Sequence, residues 1–116
     1  EIELVKYPLL PSHPHYATAQ KQMKKGGALV TFVVKGGVDR GRNLLNAVQM
    51  MSHTANLGDS RTIITHPAST THSKLSDAER AQVGILPGLI RISCGLEHVD
   101  DIISDLDQAL TKTLVN

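Results

Sequence analysis

Leu89-Ile90-Arg91-Ile92-Ser93-Cys94 reads as a β-strand whose two faces differ in kind. With a period of two, Ile90, Ile92 and Cys94 share one face, and Leu89, Arg91 and Ser93 share the other. The first face suits a core, whereas the second carries a charge between apolar neighbours. An arginine in that setting has to reach water, a partner or an anion, because a charge buried alone is too costly. Its planar fork of N–H donors matches a carboxylate with two parallel hydrogen bonds, which a lysine cannot do. Two readings stay open on these residues alone. The guanidinium snorkels to water or pairs with an acid such as Asp59 or Glu97, or it holds the carboxylate of a ligand.

Working outward, the chain alternates strand and helix signals. Ile2 to Tyr7 reads as a strand stopped by Pro8, Pro11 and Pro14. Pro14 opens a helix expected to run to about Lys25, ended by Gly26-Gly27. Ala28 to Lys35, rich in β-branched residues and bracketed by Gly-Gly pairs, is the clearest strand. Leu44, Leu45, Val48 and Met51 give a helical stripe within about Val38 to Ser52. Arg61 to Thr65 is a short strand ending at His66-Pro67. Ser76-Asp77-Ala78-Glu79 has the form of a capping box that starts a short helix closed by Gly84. The last helix, about His98 to Lys112, places Val99, Ile102, Ile103, Leu106, Ala109 and Leu110 on one side. Periodicity leaves two architectures for this β-α-β-α-β-α-β-α order, a parallel sheet of βαβ units and an α+β sandwich with helices on one face.

The 116 residues fit one domain, and 41% hydrophobic content is enough to build its core. With no Trp and a single Phe, that core is aliphatic. A net charge of +1, with no clustered basic face, gives no reason to expect nucleic acid or an anionic membrane as partner. No apolar run approaches the roughly 20 residues of a membrane span. The lone Cys94 excludes an internal disulfide and suits a reducing, cytoplasmic setting. It shares a strand face with Ile90 and Ile92, which favours a buried structural thiol over a nucleophile. The pairs His66 and His72, and His13 and His15, lack the spacing of a zinc site, so no metal is expected. The chain opens at Glu1 directly into strand-like sequence, which suggests a piece of a longer protein.

Three further stretches carry a resemblance: Asn56-Leu57-Gly58-Asp59, Thr65-His66-Pro67-Ala68-Ser69-Thr70-Thr71-His72, and Leu89 to Glu97. Together with Val5-Lys6-Tyr7-Pro8, His13-Pro14-His15 and Ser76 to Gly84, the sequence resembles the C-terminal substrate domain of the pyridoxal-phosphate (PLP) enzymes of cysteine and methionine metabolism. The likeness is closest to the O-succinylhomoserine sulfhydrylase branch and covers essentially the whole chain. Leu9 stands where a glycine is usual, and Asn56 replaces the more common serine, as in the sulfhydrylases rather than the lyases.

The resemblance implies an α/β (α+β) sandwich, with about four strands in a mostly antiparallel sheet and helices packed on one face, as in the small domain of fold-type I PLP enzymes. Residues 1–116 would then be the C-terminal substrate-binding domain. Arg91 would pair with the substrate α-carboxylate, with Asn56 and the Leu57-Gly58 backbone assisting. Clamping that group orients the Cα bonds for reaction. His72 or Thr71, bonding to backbone, would shape the adjoining loop. The lysine, aspartate, tyrosine and phosphate loop that hold PLP belong to the family's larger upstream domain and map to no residue here. Hence no catalytic and no cofactor-binding residue is expected in this stretch, nor activity from it alone. The complete enzyme would join sulfide to O-succinylhomoserine, giving homocysteine for methionine biosynthesis, in the cytoplasm and as a homotetramer. Alternatives are cystathionine γ-synthase, methionine γ-lyase, O-acetylhomoserine sulfhydrylase, or a free-standing α/β binding or dimerisation module.

Overall fold

The protein is described from a computed structural model covering residues 1–114, so the last two positions of the expected domain lie outside it. In chain order come β1 (Ile2–Lys6), α1 (Tyr16–Gln22), β2 (Leu29–Val34), α2 (Gly37–Ala47), β3 (Ser52–His53), β4 (Ile63–Thr65), α3 (Asp77–Gln82), β5 (Leu89–Ser93) and α4 (Val99–Lys112). A single 3-10 turn, Pro67–Ser69, separates β4 from α3. The strands form one sheet in the order β1-β2-β5-β4-β3. Every junction is antiparallel except the parallel β3–β4 pair.

The α+β sandwich is therefore present, with five strands rather than about four. The additional strand, β3, is only two residues long and carries no hydrophobic alternation to announce it. Ser52 N–H donates to Thr62 O at 3.0 Å, so long-range pairing with β4 makes it a strand.

β5 lies in the middle of the sheet, and its register sets which side chains meet. Ile90 lies opposite Phe32, and Ile92 lies between Val30 and Ile64. These positions face α2 and α4, forming one core from Phe32, Val34, Ile64, Ile90 and Ile92 with Leu44, Leu45, Val48, Met51 and Ala109. Leu44, Ile64 and Ile90 are 0% exposed. Burying each such side chain contributes about 1.5–3 kcal/mol. On the opposite face Arg91 lies between Thr31 and Thr65.

Three helices differ from their sequence reading, each for a physical reason. α1 begins at Tyr16 after His15, not at Pro14, and ends at Gln22 rather than Lys25. Only Ala19 of it is buried, so little packing holds further turns in place. α2 stops at Ala47, where Val48 turns extended at φ −68° and ψ 143°. The next amides find a partner outside the helix: Asp105 Oδ1 accepts from Gln49 N–H at 2.7 Å. Its Oδ2 accepts from Met50 and Met51 N–H at 2.9 and 3.1 Å. In α4 the buried stripe is narrower than the sequence stripe. Ile102, Leu106, Ala109 and Leu110 meet the core, while Val99 and Ile103 stay 60% and 58% exposed. The capping box of α3 is formed as read, with Ser76 and Glu79 each bonding the other's N–H.

Candidate functional site

Arg91 is half-buried on the sheet face away from α2 and α4. Its Nη2 donates to Ala55 O at 2.7 Å. Neither acid that could have neutralised it does so. Asp59 accepts from the Arg61 backbone N–H at 3.1 Å and lies 3.5 Å from Arg61 Nε. Glu97 accepts from Thr62 N–H at 2.9 Å and from Thr62 Oγ1 at 2.7 Å. Among the described residues no carboxylate forms an ion pair with Arg91.

The structure brings the second expected group to the same place. Asn56, Leu57 and Gly58 form an exposed loop that runs beside Arg91, anchored from beneath by side chains of the sheet. Gly58 N–H donates to Ser93 Oγ at 3.0 Å. Thr65 Oγ1 donates to Thr54 O at 2.6 Å. Gly58 has φ +74°, a conformation that favours glycine.

Beyond the loop, Leu96 N–H donates to Ser60 O at 2.7 Å and Gly95 N–H to Thr62 Oγ1 at 2.9 Å. A Cβ at Gly95 would overlap the backbone of Ser60, Arg61 and Thr62, so the two segments touch main chain to main chain. Ser93, Thr65, Thr62 and Glu97 are parts of this mount whose roles were not read from the sequence. Ser93 left a trace there by sharing Arg91's strand face, and Glu97 as an acid that could have paired with Arg91.

Hydrogen bonding governs the charges around the loop. The Thr62 amide and hydroxyl hold the Glu97 carboxyl below its usual range. The Arg61 N–H does the same for Asp59. Burial pushes the Cys94 thiol up, helped by Glu97, and the residue packs against the core. That is the environment of a protonated structural thiol.

The His-Pro-Ala-Ser-Thr-Thr-His stretch is organised by a different residue than expected. His66 is 0% exposed, with its Nε2 2.7 Å from Pro87 O and its Nδ1 2.7 Å from Ser69 Oγ. A carbonyl only accepts, so Nε2 carries the proton and Nδ1 accepts from the Ser69 hydroxyl. Burial lowers the His66 pKa and keeps the ring neutral. Thr70 Oγ1 donates to His66 O at 2.8 Å. The side chains of Thr71 and His72, in contrast, bond each other at 2.8 Å. The backbone-tying role expected of Thr71 or His72 thus belongs to His66, buried with its ring on Pro87 O, and to Thr70, whose hydroxyl reaches back to His66 O.

A cleft of about 270 Å³ is lined by Arg42, Leu45, Asn46, His53, Ser69 and Thr70. It lies along α2, away from Arg91, which stands on the open sheet face rather than inside this hollow. Among the described residues no three His, Cys, Asp or Glu side chains come together as metal ligands would. No helix there is long and apolar enough to cross a membrane. PLP chemistry calls for a lysine amine in an enclosed site and an acid for the ring nitrogen. Every lysine of the chain is exposed. The one buried acid among the described residues, Asp105, is committed to three backbone amides. The residues present thus do not fit a PLP site of their own.

Against known proteins, the profile of the Cys/Met metabolism PLP-dependent enzymes matches residues 1–111. The chain is 49% identical over 111 residues to O-acetyl-L-homoserine sulfhydrylase 1 of Thermus thermophilus, covering 95% of the chain and 26% of that protein. It is 50% identical over 112 residues to the L-methionine gamma-lyase of Fusobacterium nucleatum subsp. nucleatum, covering 97% and 28%. The O-acetyl-L-homoserine sulfhydrylase of Leptospira meyeri is 44% identical over 112 residues, covering 95% and 25%. The chain spans about a quarter of the length of the curated relatives it matches.

Proposed function

The chain belongs to the Cys/Met metabolism PLP-dependent enzymes, and from that premise we propose that it is the substrate-binding part of such an enzyme, with Arg91 gripping the α-carboxylate of an amino acid. The observation that carries this reading is a guanidinium beside the Asn56-to-Gly58 loop with no carboxylate partner among the described residues. Its one side-chain hydrogen bond among the described residues is to Ala55 O, which orients the fork without neutralising it. A substrate carboxylate would take two parallel hydrogen bonds from the fork. The Asn56 amide can add a donor, since both its hydrogens lie on an exposed side chain. What these residues contribute is binding and orientation.

The complete reaction proposed is replacement at Cγ of O-succinylhomoserine, in which the Cγ–O bond breaks, succinate leaves and sulfide forms the new Cγ–S bond of homocysteine, in a cytoplasmic homotetramer. The relatives named above favour two neighbouring chemistries, transfer from the O-acetyl ester and γ-cleavage of methionine. The test uses the full-length protein and offers O-succinylhomoserine, O-acetylhomoserine and methionine in parallel, with and without sulfide. Turnover of the succinyl ester at least as fast as the acetyl ester supports the first reading. Consumption of methionine without sulfide supports the lyase. Arg91→Ala is expected to raise KM about tenfold to a hundredfold for whichever substrate is used, the value of a charge-assisted pair. An unchanged kcat/KM would remove Arg91 from the site.

A further inference from the structure

We propose that Ser93 is a positioning residue for the substrate carboxylate, its buried hydroxyl fixing the Gly58 N–H, and with it the Asn56-to-Gly58 loop, against the strand that carries Arg91. The inference rests on the reading of Arg91 just given and adds the part that holds the two halves of the grip together.

Ser93 is 1% exposed, yet the loop it holds is exposed along Asn56, Leu57 and Gly58. A loop of that kind keeps its shape only where its backbone groups find fixed partners. The structure supplies such partners within a short stretch. Thr54 O accepts from Thr65 Oγ1 at 2.6 Å, Ala55 O accepts from Arg91 Nη2 at 2.7 Å, and Gly58 N–H donates to Ser93 Oγ at 3.0 Å.

Arg91 and Ser93 are two residues apart on β5 and share a face, so the spacing between guanidinium and loop is set by one piece of strand. The Thr65 bond lies before Asn56 and the Ser93 bond lies after it. Without the second, the next tie after Asn56 is Ser60 O, which accepts from Leu96 N–H at 2.7 Å, and Gly58, at φ +74°, can turn away between the two. Ser93 itself is too buried to meet substrate. It acts through the loop.

The experiment compares Ser93→Ala, Ser93→Cys and Arg91→Ala in the full-length protein. KM and kcat are measured with the amino-acid substrate, and Ki with an analogue amine that lacks the α-carboxylate. Ser93→Ala is expected to raise KM about fivefold to tenfold, the value of one hydrogen bond of this kind, to leave kcat within about twofold, and to leave the amine's Ki unchanged. Ser93→Cys, which keeps the volume but accepts hydrogen bonds weakly, should fall between the two. Hydrogen exchange on the unmodified protein adds a readout that needs no variant: the Gly58 amide should exchange slowly although its loop is exposed.

A KM unmoved by Ser93→Ala while Arg91→Ala raises it would overturn this inference alone. No KM change with Arg91→Ala would remove the carboxylate reading and this one with it. Equal losses toward the substrate and the carboxylate-free amine, or fast exchange at Gly58, would reduce Ser93 to general structural support.

Discussion

Glu97 shows how one side chain serves the site without touching it. Its carboxylate takes both the N–H and the hydroxyl of Thr62, and that hydroxyl in turn accepts from Gly95 N–H at 2.9 Å. Glu97→Gln keeps the shape but turns an N–H₂ toward groups that already donate, and is expected to cost about 1–2 kcal/mol in urea unfolding. A loss below a few tenths of a kcal/mol would mean that the bond carries little weight. Strand alternation singled out Arg91 as a cation between isoleucines but left water, an ion pair and a ligand carboxylate open, and its carboxylate role came through resemblance. Asn56 and Gly58 were reached through resemblance, since a triplet of this kind is ordinary turn chemistry on its own. Thr62 and Thr65 were silent, and Glu97 was noted only as an acid that could pair with Arg91, because their roles depend on pairings 35 and 11 residues away in the chain.

At the level of elements, the end of α2 is decided by a residue of α4. Hydrophobic spacing ran the helix to Ser52, but the Asp105 carboxylate collects the amides of Gln49, Met50 and Met51 and lets the chain leave the helix at Val48. Those same residues lead into β3, the strand that the sequence did not announce. Both discrepancies therefore come from distant partners that no local pattern encodes, a carboxylate more than fifty residues away for the helix end and the pairing with β4 for the strand. Asp105→Asn, which offers one acceptor oxygen where two served the three backbone amides and Gln108 Nε2, is expected to lower stability by about 2 kcal/mol. Comparison of Tm for the two proteins checks this, and an unchanged Tm would show that the amides find water instead. The strands with clear apolar alternation and the capped helix α3 were readable for the opposite reason: their signals are local.

For the whole molecule, the titrating groups bonded in the fold lean the same way. His66 has its pKa lowered by burial from an ordinary 6.5, so the folded state disfavours its protonation. Its contribution is complete above about 6.5 and is lost as pH falls through the lower folded value. Glu97 and Asp59 are lowered by hydrogen bonds. At Asp105 burial pushes upward, but the three amides outweigh it and the pKa is lowered too. The carboxylate contributions are complete above about pH 4 and fade as pH drops through the folded values. Urea midpoints should therefore begin to decline as pH falls below about 6.5 and decline more steeply below about 4. A midpoint constant down to pH 4 would exclude the His66 part. The backbone of residues 55–62 is fastened to β5 at Ala55 and Gly58, and to the Gly95-Leu96-Glu97 segment that follows β5 at Ser60 and Thr62. A binding surface cut from one such block has no lip that can swing by itself, so traffic to and from it is left to shifts of the entire block against whatever faces it.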